Sequence, residues 1–140
     1  MTALDRDGRL PLHYSAMKDD VADVELRLSA GDDPNTGDRL GFTPLHLAVQ
    51  EGSLAAARLL LDHGAKVDPV DKFGNTPLFV AVFNSRGRGD LIVLLRERGA
   101  DPFHRDDAGQ TPVGLARLIA NFNVAQFFAD LPPISSGPAS

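Results

Sequence analysis

Thr43-Pro44-Leu45-His46-Leu47-Ala48 is the stretch that decides the fold, because it recurs. Leu10-Pro11-Leu12-His13-Tyr14-Ser15 precedes it. Thr76-Pro77-Leu78-Phe79-Val80-Ala81 and Thr111-Pro112-Val113-Gly114-Leu115-Ala116 follow it, and the successive spacings are 33, 33 and 35 residues. In each copy a Pro stands where a helix would begin. Its missing N–H costs nothing there, since the first N–H groups of a helix have no intrahelical acceptor. The Thr before it (Leu10 in the first copy) offers a hydroxyl that can cap an early N–H. Leu45, Leu47 and Ala48 give this inner helix its apolar mass, and Ala admits a close neighbour. Gly52 stops the helix in a left-handed turn.

Outward from that stretch, Leu54, Ala57, Leu60 and Leu61 recur at helical spacing and mark a second, antiparallel helix. His63-Gly64-Ala65 closes it. Lys66-Val67-Asp68-Pro69 runs extended, and Asp71-Lys72-Phe73-Gly74 turns the chain back to the next Thr-Pro. A period near 33 residues built from such units predicts an all-α solenoid. Its repeats fall at about 5–37, 38–70, 71–105 and 106–131, followed by a flexible tail over 132–140. The outer two repeats serve as caps, and the polar helix Val21 to Ala30 of the first suits that place. The last repeat is the least regular, with Gly114 at the His position and a short second helix from about Val124 to Leu131. Two of Phe122, Phe127 and Phe128 are expected in the core. The third is covered either by Leu131 to Ile134 folding back or by a second molecule.

The 140 residues suffice for one short array, and 43% hydrophobic with 24% charged residues is ordinary for a globular chain. A net charge of −5 argues against general nucleic-acid binding. No cysteine is present, so no disulfide or thiolate zinc site is expected. Residues 1–9 lack an apolar signal core, and no apolar run is long enough to span a membrane. A cytoplasmic monomer is the expectation.

The four in-register copies, the turns Asp5, Asp38, Asp71 and Asp106 each followed three residues on by Gly, and the Gly-Ala pairs at 64–65 and 99–100 resemble ankyrin-repeat proteins over about residues 5 to 131. That resemblance implies a stack of helix–turn–helix units with hairpin-like fingers at right angles. It also implies protein–protein recognition through the fingertips and the concave inner-helix face, with no enzymatic activity and no cofactor. Gly74 to Leu78 together with Ala81 to Gly89 further resembles small stand-alone bacterial ankyrin proteins. Some of those are taken to be immunity proteins, which implies, as the alternative, an inhibitor of one cognate toxin.

Candidate chemistry is sparse. His13 and His46 sit inside the motif, where an imidazole can bridge the capping residue and a neighbouring finger. His63 and His104 are not clustered for metal binding. The repeated Asp residues lie one per finger, with a local turn-capping task. Arg88-Gly89-Asp90 spells an integrin-type tripeptide that a cytoplasmic protein would not present. Function is therefore expected where the copies differ. Arg6, Arg9, Lys18, Arg39, Lys72, Arg86, Arg88 and Arg105, set against Asp7, Glu51 and Asp107, form a basic set that fits an acidic partner, though the turn Asp residues nearby offset most of it. Phe42, Phe73 and Phe83 either line one concave patch or, for the first two, pack finger on finger. Phe83 is the expected anchor. The two extra residues of the third repeat, in Asn84 to Asp90, are expected to bulge from the helix–helix turn, either as a tolerated surface excursion or as a loop that adds contacts at the edge of the groove.

Overall fold

The computed structural model describes residues 6–119 and 122–132. The helices are α1 (Pro11–Met17), α2 (Val21–Ser29), α3 (Pro44–Gln50), α4 (Leu54–Asp62), α5 (Pro77–Phe83), α6 (Asp90–Glu97) and α7 (Pro112–Leu118), followed by a 3-10 helix at Val124–Phe128. Helices α1, α3, α5 and α7 pack each on the next as one layer, and α2, α4 and α6 form a second layer behind them. This is the all-α solenoid that the period of the sequence predicts. No strand is present among the described residues.

The register of the repeat sets the core. Leu12, Leu45, Leu78 and Val113, each following the helix-starting Pro, are wholly buried. Ala48, Ala81 and Ala116 sit one turn later and let the inner helices approach closely. In the outer layer Val24, Ala57 and Ile92 occupy one buried register, and Leu60, Leu95 and Phe128 another. Arg27 takes that second register in the first unit. It pairs with Asp23 on the same helix at 2.7 Å.

Each described finger is a tight turn held by its own aspartate. Asp38 Oδ1 accepts the N–H groups of Leu40 and Phe42, Asp71 Oδ1 those of Phe73 and Asn75, and Asp106 Oδ1 those of Ala108 and Gln110. Two backbone bonds close each turn, for example Asp38 N–H to Phe42 O and Gly41 N–H to Asp38 O, each at 2.9 Å. Successive fingers are joined by single bonds: Arg39 N–H to Asp7 O (2.8 Å), Lys72 N–H to Leu40 O (2.7 Å) and Asp107 N–H to Phe73 O (3.0 Å). The fingers are thus hairpin-like in path without forming a sheet. The expected turn at Asp5 lies outside the described residues.

The last unit departs from expectation at its second helix. The segment is a five-residue 3-10 helix, ending at Phe128 instead of near Leu131. Asn123 makes no side-chain cap there, and a piece this short cannot recover the cost of nucleating an α-helix. Phe128 is wholly buried, Phe127 packs on the core in part, and Phe122 stays 45% exposed. Arg96 ties the segment to α6. It donates to Phe127 O at 2.9 Å and, in bidentate fashion, to Asp130 at 2.7 and 2.8 Å. Arg117 Nη2 donates to Pro132 O at 2.9 Å. Leu131 and Pro132 therefore lie back on the last unit; Ile134 and the rest of the expected tail fall outside the described residues.

Candidate functional site

The motif histidines are scaffold. His46 is buried. Its Nδ1 accepts the Thr43 N–H at 3.2 Å, and its Nε2 donates to Asn75 O in the next finger at 2.9 Å. His13 repeats the arrangement, accepting from Leu10 N–H and donating to Phe42 O, each at 3.0 Å. Accepting at Nδ1 requires the neutral ring, and burial holds both imidazoles below their ordinary pKa. His104, at its finger position, donates through Nε2 to Gly74 O at 3.0 Å and links the third and fourth fingers.

The third repeat breaks this pattern. Phe79 stands where the bridging His would be and can neither accept from Thr76 nor reach the next finger. The Thr76 side chain is wholly buried and its Oγ1 has no hydrogen-bond partner. A buried hydroxyl left alone in this way carries a desolvation cost of about 1–3 kcal/mol. The ring released from the bridge points elsewhere: Phe79 lines an open groove of about 740 Å³ between the second and third repeats.

That groove gathers Phe42, Phe73, Phe83, Arg86 and Arg88 from the residues singled out in the sequence. Phe83 closes α5 and is 70% exposed; Phe73 tips the third finger and is 52% exposed. Phe42 is half-buried, with its ring edge-on to His46 at 5.7 Å between centroids, so it forms wall instead of anchor. Gln50, Glu51 and Asn84 make the polar lip. Arg6, Arg39, Lys72 and Arg105 are exposed but lie outside the groove. Arg6, Arg39 and Lys72 each follow a turn Asp and share one register along the fingertips. Arg105 precedes its turn Asp and falls one register away, where Asp107 takes the fingertip position. Sequence reasoning passed over Phe79. The signal was there, in the departure from His at that register.

The insertion is not a free bulge. Ser85 is buried, and Arg88 N–H donates to Ser85 O at 2.9 Å across Arg86 and Gly87. Both central residues have positive φ, +51° at Arg86 and +87° at Gly87, the φ pattern of a type I′ turn. The turn rests on the last unit. A Cβ on Gly87 would meet the Phe122 ring at 3.0 Å, and one on Gly89 would overlap the Phe127 ring outright. Only glycine permits this close seat. Arg88 reaches back over the groove's edge toward Gly52 of the second repeat. Among the described residues the ion pairs are Arg9–Asp38, Arg27–Asp23, Arg96–Asp130 and Arg98–Asp62, and neither Arg86 nor Arg88 forms one there.

Among the described residues no three His, Cys, Asp or Glu side chains converge as a metal site, and no helix is long and apolar enough to cross a membrane. The family model for ankyrin repeats (three copies) matches residues 12–106. A stretch of 40 residues is 48% identical to the ankyrin repeat and LEM domain-containing protein 1 homolog of Caenorhabditis elegans, covering 29% of this chain and 6% of that protein.

Proposed function

Because the chain belongs to the ankyrin-repeat family, we propose that it binds a partner protein in the groove between its second and third repeats. Ankyrin repeats are protein–protein interaction modules. The observation that carries the choice of surface is Phe83, 70% exposed at the end of a core helix beside Phe73 and Phe79. A large ring left in water next to two others marks the centre of an interface more than the surface of a monomer. The partner's surface is acidic on this reading. Arg86 and Arg88 flank the rings, while Arg39 and Lys72 extend positive charge along the fingertips of a protein whose net charge is −5. Toxin inhibition is one form such binding could take; its support is the resemblance of the third repeat alone.

Affinity capture with two baits tests the surface. The wild-type chain should retain a partner that the Phe73→Ala/Phe83→Ala double variant loses, while both baits melt at closely similar temperatures. Identical capture by the two would refute the groove. Reversing charge at Arg39, Lys72 and Arg105 together should weaken capture and flatten its salt dependence.

A further inference from the structure

The Asn84–Gly89 loop carries an unusual combination. Arg86 sits in the left-handed region at φ +51°, which L side chains adopt reluctantly. The equivalent turn of the second repeat uses Gly52, at φ +75°. In the first repeat it uses Asp19, at φ +55°, whose carboxylate is employed within the stack, accepting the N–H of Ala56 on α4 of the next repeat at 2.8 Å. Arg86 has no such use. Its side chain lines the groove and forms no ion pair among the described residues. A Gly or Asn would fit this turn position with less strain. The loop is nevertheless fixed, with Gly87 and Gly89 seated against Phe122 and Phe127.

We propose that Arg86 and Arg88 are the specificity pair of the groove, and that they read a carboxylate side chain flanking an apolar anchor in the partner's docking segment. This rests on the groove being the binding surface. The apolar anchor would lie over Phe73, Phe79 and Phe83. An adjacent Asp or Glu would then meet two guanidinium groups whose backbone is already ordered, so little entropy is lost in fixing them. The fourth repeat thereby takes part in binding without touching the partner, because its two Phe rings set the loop that presents both arginines.

The proposal separates backbone strain from recognition. Arg86→Gly removes the strained residue and the guanidinium together. It should melt at the same temperature as wild type or higher, yet bind more weakly. A merely structural arginine would not give those opposite signs. The probe is the capped hexapeptide EEFLEE, titrated into the full chain at low salt and followed by amide chemical shifts, with KKFLKK as the charge control. Wild type should show saturable shifts at Phe73, Phe83, Arg86 and Arg88 with EEFLEE alone. Arg86→Gly and Arg88→Gln should each bind about tenfold more weakly. The specificity pair is overturned if Arg86→Gly binds as tightly as wild type or melts lower. It is also overturned if KKFLKK binds equally well, or if inorganic phosphate moves the arginine signals while the peptide does not. Failure of the groove itself looks different: no response at Phe73 or Phe83 up to the solubility limit of the peptide, and unchanged affinity in Phe83→Ala.

Discussion

Phe79→His should make the protein more stable. The substitution restores at the third repeat the imidazole that the first two possess. By analogy with His46, the ring would accept from the Thr76 cap and donate through Nε2 to Gln110 O, the carbonyl equivalent to Asn75 O. Gln110 O already accepts the Asp106 N–H at 2.9 Å, just as Asn75 O accepts the Asp71 N–H at 3.0 Å while also receiving His46. Two bonds at about 1 kcal/mol each, one of them relieving the orphaned Thr76 hydroxyl, contribute about 2 kcal/mol. Loss of a half-buried phenyl ring costs about 1 kcal/mol. The net gain of about 1 kcal/mol corresponds to a melting temperature about 3 °C higher for a chain of this size. Thermal unfolding at pH 8, where the new imidazole is neutral, is the assay. Thr76→Val relieves the same orphan by another route, so the two gains should fall short of additivity in a double-mutant cycle. A lower melting temperature for Phe79→His, or fully additive effects, would refute the account of position 79.

Three further outcomes follow from the same geometry. His46→Ala should lose about 3 kcal/mol in urea unfolding, since it strips partners from the buried Thr43 cap and leaves a cavity. Stability should be full above pH 6.5, the unfolded value for His, and should fall as pH drops below it, because burial depresses the folded pKa of His13 and His46 and the unfolded chain takes up protons first. The slope cannot exceed about 1.4 kcal/mol per pH unit for each imidazole, and it should flatten in a His13→Gln/His46→Gln variant unfolded over the same pH range. Gly89→Ala should cost about 2 kcal/mol by driving a methyl into the Phe127 ring, measured by thermal unfolding, whereas Gly64→Ala meets no neighbour and pays only for its backbone at φ +95°.

The repeat made the scaffold legible from residues alone. Pro at the first helical position, Leu one residue later and Gly in the left-handed turn are local rules, and each acts within about ten residues. The Asp-turn fingers were legible for the same reason. What the groove would contain was less so, because exposure is a property of the stack. Phe42 stands four residues past Asp38 and Phe73 two past Asp71; one packs edge-on to a buried imidazole and the other projects into water, a difference that only the stacked neighbours decide. The seat of the insertion on the last unit was not legible because its contacts, Phe122 and Phe127, lie more than thirty residues away and belong to the least regular repeat. The 3-10 helix was unreadable because Val124, Phe127 and Phe128 give the same apolar spacing to an α-helix as to a 3-10 turn.

The missing bridge at Phe79 has a consequence for how the stack comes apart. In a linear array, each interface contributes its own nearest-neighbour coupling, and opening begins where that coupling is weakest. The first two interfaces each carry a buried imidazole bond from an inner helix, which the third lacks; it is held instead by His104 at the finger and by Arg96 on Phe127 O and Asp130 behind. Fraying should therefore start between α5 and α7 and travel no further, so that α7 amides exchange with solvent sooner than those of α3. The array behaves as a firm block of three units with a fourth on a looser joint, and the loop that borders the groove is seated on the looser side.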